Sequence, residues 1–265
     1  MLTSRALLLP SVPTMLIDEQ RGDITEMIEA LSGAGERMLA EAPDAVVVVS
    51  PRWVSSSAFQ ADDGRQHRSV IDLPGFGVEP RYDCPGHPGL ARAIVEHATK
   101  SGLRASVARH GIDTAASIPL HFLVRSRRVP IVPLSISEGS PEEHRAWGAA
   151  IRHALNAWEG RAAFCVGGAL SWYLHAFNLR RDVPEGVELD RRVLEALEIG
   201  AWSRVQDAVT ALGEKAHPEA GLKHLEVLRG FLLIETGGHV REYETVHGLG
   251  TALAEFPLSN MGSES

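Results

Sequence analysis

Cysteine is scarce in this sequence. The 265 residues include two, Cys84 and Cys165, which stand 81 positions apart. Zinc sites and disulfide-stabilised small domains need several cysteines at short, regular spacings, so the composition excludes both classes. We predict that the two side chains are reduced thiols, as is typical of a cytoplasmic protein.

An excess of positive charge is also lacking. Lys and Arg total 26 against 34 for Asp and Glu, which gives a formal net charge of −8. Proteins that bind nucleic acid or anionic membranes carry extended basic patches, and the arginine clusters at 125–128 and 180–181 are too short for one. We expect neither partner, and we assign both clusters to solvated loops.

Long apolar runs are absent as well. No stretch approaches the roughly 18 uncharged apolar residues that cross a bilayer. The apolar run at 7–9 ends at Pro10 and is too short for a secretory signal. We therefore expect a cytoplasmic location.

Standard catalytic motifs are missing too. Gly167 and Gly168 follow an apolar segment, but they lack both the spacing of a dinucleotide-binding loop and the lysine of a phosphate-binding loop. They predict a tight turn. Ser50 precedes Pro51 instead of lying in a nucleophile elbow. The motifs alone therefore predict no catalytic mechanism.

What the sequence does contain is a set of short apolar runs rich in β-branched residues. The run at 45–49 predicts a strand buried on both faces, which is typical of a sheet with helices on each side. Pro51 is expected to end this strand. Arg52 and Trp53 would then project from the strand tip, where open α/β sheets bind ligands.

The other periodicities complete an α/β pattern. Helices are predicted to start near Asp23, Pro88 and Ser140 and to fill most of 189–231. We predict one α/β domain over residues 1–258, with a central, mostly buried mixed sheet and helices on both faces, followed by a disordered tail at 259–265. Residues 57–86 are predicted to form a long surface excursion, and long loops are usually functional. The further predicted strands are 5–9, 69–73, 105–108, 129–136, 162–166 and 240–246.

Twelve histidines raise the question of a metal site. His217 and His224 lie seven residues apart, whereas a helical metal-binding pair normally lies four apart, so surface histidines are the favoured interpretation. The neighbouring residues predict where four other histidines lie. We expect His144 and His153 on a solvated helix face, and His121 and His175 in the core.

Eight stretches in order carry a family resemblance, and together they cover nearly the whole chain. They are LLLPSVPTML at 7–16, VVVVSPRWVS at 46–55, IDLPGFGVEPRYDCPGHPGLA at 71–91, GIDTAASIPLHFL at 111–123, VGGALSWYLH at 166–175, ELDRRVLEALEIGAW at 188–202, PEAGLKHLEVLRGFL at 218–232 and EYETVHGLGTALAEF at 242–256. This set resembles the class III extradiol ring-cleaving dioxygenases of the protocatechuate 4,5-dioxygenase type.

The resemblance implies a mononuclear Fe(II) held by two His and one Glu, with further histidines as acid/base or substrate-binding groups. The carboxylate ligand is expected within 218–222, where Glu219 is the nearest candidate, and Asp113 is retained beside one of the histidine positions. The four histidine positions themselves fall on other residue types: Ser11, Arg52, Thr114 and Trp172.

Hydroxyls are poor Fe(II) ligands, and arginine cannot lose its proton to coordinate a metal. We hypothesise that the Arg52 guanidinium replaces part of the charge of the iron and pairs with Glu219 or Asp113, since an unpaired buried carboxylate is costly. The alternative is that Arg52 turns outward to solvent. The remaining pocket candidates are Trp53, His110 and His175.

These positions favour a non-catalytic subunit that pairs with a fold-related catalytic subunit, or with itself. The resemblance is strongest to the branch that acts on 2-aminophenol, in which such pairs are known. Fe(II) would then reside in the partner and no cofactor in this chain. The candidate interface anchors are five tryptophans: Trp53, Trp147, Trp158, Trp172 and Trp202. We expect most of them to lie in the core instead.

Two alternatives stay open. The chain could be a divergent ring-opening dioxygenase, either with a metal centre rebuilt from His110, His121 and His175 or with a metal-free reaction. It could also be a protein that binds a small aromatic compound beside Arg52 and Trp172 without cleaving it.

Overall fold

Strands and helices alternate along the residues that the computed structural model describes, which are 1–70, 82–125 and 128–258. The strands are β1 (Leu2–Pro10), β2 (Ala45–Ser55), β3 (Phe59–Asp62), β4 (Gln66–His67), β5 (Cys84–Pro85), β6 (Ala105–Ala108), β7 (Ile131–Ser137), β8 (Ala162–Gly168), β9 (His239–Val246) and β10 (Leu249–Pro257). The helices are α1 (Thr14–Arg21), α2 (Glu26–Ala40), α3 (Pro88–Lys100), α4 (Thr114–Leu123), α5 (Pro141–Ala157), α6 (Leu174–Asn178), α7 (Pro184–Glu198), α8 (Ser203–Leu212) and α9 (Lys223–Leu232). Two 3₁₀ turns, Gly213–Ala216 and Glu219–Leu222, precede α9.

One large sheet organises these elements, in the order β6-β3-β7-β2-β8-β1-β10-β9, and β4 pairs separately with β5. The central strands β7, β2, β8 and β1 run parallel. Antiparallel pairing joins β10 to β1 and β9 to β10, and it joins β3 to β7. The sheet is therefore mixed, as predicted.

Both faces of this sheet are buried. On β2, Val47 and Val49 belong to the apolar cluster formed with α3, α5, α7, α8 and α9. Val46 and Val48 belong to the cluster formed with α1, α2 and α4 on the opposite face. Successive side chains of a strand point to opposite faces, so the continuous apolar run places helices on each side. The predicted fold class is confirmed.

The carboxyl end of β2 differs from the prediction. Pro51 does not end the strand, which runs on to Ser55. Ser50 pairs with Ser135 and Val54 pairs with Ile136, the next residue of β7. Three residues, 51–53, therefore leave the ladder between these two pairs. Such a bulge bends a strand and redirects its side chains, and here it carries Arg52 and Trp53.

Helix starts follow local capping chemistry. The predicted start at Asp23 is wrong by two residues, because the Thr25 side chain accepts the hydrogen bond from the Ile28 amide and caps α2. At α5 the predicted start is confirmed: Ser140 and Glu143 form a reciprocal capping box. Among the described helices, none has the length and apolar character needed to cross a membrane.

Several elements escaped the sequence analysis. β3 lies within the predicted surface excursion, yet Phe59 and Ala61 are buried and pair into the sheet. Only Ser69 and Val70 of the predicted strand at 69–73 are described, and Ser69 bridges to Ile112; residues 71–73, like the predicted tail at 259–265, lie outside the described residues. The helix α4 contains Pro119 and is buried almost all round, so it shows no helical period.

Candidate functional site

The candidate site lies at the carboxyl ends of the central strands. Arg52 projects from the bulge of β2, and Ser11 follows β1. Thr114 is the first residue of α4, Trp172 follows β8, and Glu219 begins a 3₁₀ turn. The Arg52 side chain contacts all four of the others: Ser11, Thr114, Trp172 and Glu219. The structure thus brings together the five positions that the resemblance indicated.

The Arg52 guanidinium donates hydrogen bonds from all three of its nitrogens. Nε donates to Glu219 Oε1 at 3.0 Å. Nη1 donates to Thr114 Oγ1 at 2.6 Å and reaches Ser11 Oγ at 3.3 Å, and Nη2 donates to the Ser11 carbonyl at 3.0 Å. The predicted pair with a carboxylate is confirmed for Glu219, and the alternative of an outward-facing arginine is wrong.

Trp172 covers the guanidinium. The Arg52 Cζ atom lies 4.1 Å from the centroid of the indole ring, which is cation–π geometry. The Arg52 side chain is 10% exposed. Because the two groups cover each other, this face of Trp172 is occupied by the protein itself.

Glu219 is held on both of its carboxylate oxygens. Oε1 accepts from Arg52, and Oε2 accepts a short hydrogen bond from the Ala169 amide just beyond β8. Its side chain is 5% exposed. Burial raises the pKa of this carboxyl group, and the positive charge of Arg52 opposes that shift. The ion pair with Arg52 and the hydrogen bond from Ala169 therefore offset part of the cost of burying this carboxyl group.

Asp113 takes a different role from the one hypothesised. It caps α4 by accepting from the Ala115 amide, and the Ser50 hydroxyl bridges both of its carboxylate oxygens at 2.8 and 2.7 Å. His110 Nε2 lies 3.1 Å from Asp113 Oδ2. These contacts occupy Asp113 without Arg52.

Trp53 and His110 form a second layer next to this cluster. Their rings stack with centroids 4.4 Å apart and an angle of 6° between the planes. The structure therefore joins three predicted pocket residues, Trp53, His110 and Asp113, in one cluster beside Arg52. His175 does not join them: it lies exposed on α6, so its predicted core position is wrong.

Two residues of the site were missed. Thr251 of β10 accepts from the Ser11 amide at 3.0 Å and donates to the Gly168 carbonyl at 3.2 Å, which fastens β1 to β8. His224, predicted at the surface, is fully buried on α9. Neither ring nitrogen of His224 has a hydrogen-bond partner among the described residues. Burial, followed by the charge of Arg52, lowers its pKa to about 3.

Two further histidine predictions are corrected. His144 is fully buried, and its ring accepts from the Ser137 amide, because the helix face that carries it packs against the sheet. His121 is 40% exposed and lies 2.7 Å from Glu19, since it occupies the one open side of the otherwise apolar helix α4. His153 is exposed, as predicted.

The donor set does not fit a mononuclear Fe(II) centre, whose ligands are imidazoles and carboxylates. Guanidinium and hydroxyl groups fill the positions around Glu219. Across residues 1–70, 82–125 and 128–258, no group of three His, Cys, Asp or Glu side chains is arranged to hold a metal ion. The centre rebuilt from His110, His121 and His175 is not formed by these residues.

Two cavities of about 570 and 560 Å³ lie away from this cluster, beside α7 and β9 and between α2 and α4. Arg52, which was predicted to lie in a pocket, is enclosed by Ser11, Thr114, Trp172 and Glu219.

Comparison with known proteins gives a consistent result. The family model described as the catalytic LigB subunit of aromatic ring-opening dioxygenase matches residues 5–255. The 2-aminophenol 1,6-dioxygenase alpha subunit of Pseudomonas sp is 26% identical over 246 residues, which are 86% of this chain and 89% of that protein. The 4,5-DOPA dioxygenase extradiol of Mirabilis jalapa is 27% identical over 208 residues, which are 74% of each.

A solved structure supports the fold alone. The crystal structure of an uncharacterized protein from Escherichia coli K12 superposes with a TM-score of 0.71 at 17% identity, covering 96% of this chain and 99% of that one. The match extends over nearly the full length, in agreement with one continuous architecture.

Proposed function

Because the chain belongs to the family of the catalytic LigB subunit of aromatic ring-opening dioxygenases, we propose that it is a non-catalytic member of that family. In this proposal it assembles with a fold-related catalytic subunit that acts on a catechol or 2-aminophenol type of substrate. The family membership confirms the resemblance predicted from the sequence. The non-catalytic role and the partner are the proposal.

One observation carries the proposal: the Arg52 guanidinium occupies the centre of the candidate site. It is bonded to Ser11, Thr114 and Glu219 and covered by Trp172. A cation that cannot be deprotonated leaves no open position for O₂ or for a catecholate. We therefore assign no cofactor to this chain and place Fe(II) in the catalytic partner.

The name of one relative supports an assembly. The protein from Pseudomonas sp is called an alpha subunit, so it works with at least one other chain. We extend that arrangement to this protein and expect a hetero-oligomer in the cytoplasm. The chain would stabilise the active subunit or shape the entrance to its pocket.

The tryptophans narrow the surface that such a partner would use. Trp147, Trp202 and Trp53 are buried inside this chain, at 0, 1 and 6% exposure, and are core residues. Trp158 and Trp172 are half-buried. These two are the tryptophans available to a partner, since interface anchors need an accessible ring.

One observation favours the alternative of an active enzyme. The relative from Mirabilis jalapa is named as an extradiol dioxygenase, and here the His110 ring is 24% exposed and held by Asp113. A metal-free reaction would use this pair as an acid/base group. The experiment below distinguishes the two proposals.

The test measures iron and ring cleavage for the chain alone and for the pair. The purified chain is loaded anaerobically with Fe(II), and bound iron per chain is determined together with turnover of catechol and 2-aminophenol. We expect no stoichiometric iron and no turnover. Co-expression with the fold-related catalytic subunit from the same organism should give a stable complex with one iron per pair.

Two results would overturn the proposal. One tightly held iron in the chain alone would place the metal in this subunit. Ring cleavage by the chain alone that is lost in His110→Phe would establish the metal-free enzyme. Arg104→Ala, at an exposed arginine just before β6, serves as the matched control for surface changes.

A further inference from the structure

We propose that the cavity between α2 and α4 is a docking groove for a positively charged segment of the catalytic partner subunit. This α2–α4 groove has a volume of about 560 Å³, and its wall combines apolar and acidic side chains. The inference rests on the proposed function, because it names the surface through which the chain assembles with that partner.

The first observation is an apolar strip that the chain leaves open. Ile28 and Phe122 line the groove and are themselves buried, at 5 and 3% exposure. Ile24 lines it too, but its side chain is 71% exposed. An exposed apolar side chain beside a concave apolar wall is typical of a protein contact site, unlike the single apolar residues scattered over any surface.

The cap of its own helix gives Ile24 no packing partner. Thr25 caps α2, so Ile24 is the residue before the cap, and Glu29 takes the fourth helical position. An apolar residue before the cap often packs against an apolar side chain at that fourth position. Because Glu29 is charged and exposed, this contact is not formed. Ile24 therefore stays available to a group outside the chain.

The second observation is the charge of the groove. Its wall carries four carboxylates: Glu19, Asp23, Glu29 and Glu36. Glu19 lies 2.7 Å from His121. Arg125, the basic side chain in the wall, donates to Ser32 Oγ at 2.8 Å instead of to a carboxylate. The groove therefore has an excess of negative charge.

Three of these carboxylates have no counter-ion of their own. Asp23, Glu29 and Glu36 form no ion pair within the part of the chain that the structure describes. The two arginines that line the neighbouring cavity with Glu29 bind Glu255 instead: Arg37 and Arg241. A concave surface lined by charge of one sign attracts the opposite charge, so the three groups favour a cationic partner.

Charge complementarity decides between the possible occupants. A second copy of this chain related by a two-fold axis at the groove would bring its own four carboxylates against these, and facing like charges oppose association. A fitting segment carries Lys or Arg side chains around an apolar side chain, which contacts Ile24, Ile28 and Phe122. Apolar anchors with a polar rim are the usual arrangement of protein interfaces. The catalytic subunit supplies this segment.

The experiment measures binding of the catalytic subunit from the same organism to variants of the groove. Ile24→Ser removes the exposed apolar contact and should raise the dissociation constant at least about tenfold. Glu29→Lys with Glu36→Lys should slow association and remove most of its salt dependence. Ile199→Ser with Glu198→Lys makes the same kinds of change at exposed residues near the end of α7 and should leave binding unchanged.

Hydrogen–deuterium exchange of the co-purified complex needs no variant. The amides of residues 19–29 and 121–125 should exchange more slowly in the complex than in the free chain, because the partner covers them. Those of α8 should exchange at the same rate in both. Circular dichroism checks that every variant is folded, which we expect because the substituted side chains are exposed.

The outcomes separate this inference from the proposed function. If the unaltered chain forms no complex with the catalytic subunit, both are overturned. If the complex forms and neither the Ile24 variant nor the charge reversal weakens it, only the inference fails. It fails equally if the slowed exchange is confined to the segments around Trp158 and Trp172, or if a second copy of this chain covers the groove.

Discussion

The contacts of Arg52 join segments that are far apart in the chain. Its Nε is bonded to a residue 167 positions away, and its Nη1 to one 62 positions away. A buried ion pair of this kind contributes little net stability, but removal of one partner leaves the other charge buried and is strongly destabilising. Arg52 and Glu219 should therefore behave as a unit in mutagenesis.

We expect Arg52→Met to lower the free energy of unfolding by about 3–5 kcal/mol, because the Glu219 carboxylate would be buried without a cation. Adding Glu219→Gln should recover much of this loss, since the amide oxygen still accepts from Ala169. Urea unfolding of the two single variants and the double variant measures the coupling.

The control is an ion pair that is exposed on both sides. Lys100 lies 2.6 Å from Glu96, and the two side chains are 70% and 63% exposed, so Lys100→Met should lower the free energy of unfolding far less than Arg52→Met does. Equal losses at positions 52 and 100 would contradict the assignment of a buried pair.

Asp190 of α7 should make the stability of the protein depend on pH. It is fully buried, and its Oδ2 accepts from Ser171 Oγ at 2.9 Å and from the Tyr243 hydroxyl at 2.8 Å. No cation pairs with it among the described residues. Burial raises its pKa from 3.8 to about 7 despite these hydrogen bonds.

The sign of the effect on stability follows from that shift. The folded state holds a proton on Asp190 that the unfolded chain releases at a lower pH, so stability falls as the pH rises from about 4 to about 7 and then levels off. Between pH 5 and pH 8 this group should remove up to about 3 kcal/mol. Asp190→Asn should lack this component and be the more stable protein at pH 8.

Urea unfolding at pH 5 and pH 8 compares the two proteins, with Asp207→Asn at an exposed aspartate as control. The same pH dependence in Asp190→Asn and in the unaltered chain would show that the titrating group lies elsewhere.

Residue chemistry explains which site residues the sequence could predict. The Arg52–Glu219 pair was predictable because a buried carboxylate must find a cation, whatever the fold. His224 was not, since its burial depends on how α9 packs. Thr251 was not predictable either, because its local sequence carries no sign of the two distant backbone groups it joins, the Ser11 amide and the Gly168 carbonyl.

At the scale of elements, the contact between α5 and α9 depends on two glycines. A Cβ added to Gly148 would lie 2.0 Å from the Val227 carbonyl oxygen, and one added to Gly230 would lie 1.9 Å from the Arg145 carbonyl oxygen. The helix backbones therefore touch directly. This contact sets the height of α9 above the sheet, and with it the position of His224.

Gly148→Ala should lower the free energy of unfolding by about 1–3 kcal/mol, because the methyl group must push the two helices apart. Gly33→Ala in α2 meets only the tip of Arg37 at 3.4 Å and should be neutral or stabilising by up to about 1 kcal/mol. Chemical unfolding of both variants tests the contrast, and a neutral Gly148→Ala would show that α9 can shift freely.

The elements that could be predicted from the sequence have a clear apolar pattern or a strong helix cap. The β-branched runs of β2 and β7 and the capping box of α5 needed no tertiary information. The bulge in β2 was missed because the Pro51 ring suggests an end to pairing, whereas the neighbouring β7 resumes pairing at Val54. β10 was not predicted as a strand, and it forms between β1 and β9, with which it pairs on its two edges.

At the scale of the whole molecule, β10 connects the centre of the sheet to its edge strand β9. A chain that ends at residue 248 would lose both the pairing of β1 on that side and the Thr251 bridge. We expect this shortened chain to fail to fold cooperatively, as followed by circular dichroism and urea unfolding.

A chain that ends at residue 258 keeps every described element and is the matched control. It should show one unfolding transition, because a single sheet carries both apolar clusters. A cooperative transition in the chain that ends at 248 would show that β10 is dispensable.

The Thr251 bridge has a consequence for biosynthesis. Ser11 is translated early, but the hydroxyl that holds its amide lies 240 residues later. At a translation rate of about 5–20 residues per second, roughly 12–50 seconds pass between the synthesis of Ser11 and that of Thr251 in β10. During this interval the edge of β1 that later pairs with β10 is unpaired. The amide of Ser11, whose hydroxyl and carbonyl bind Arg52, also lacks its Thr251 partner. The nascent chain is then most exposed to pairing with other chains, and a ribosome-bound chaperone would protect it at that stage.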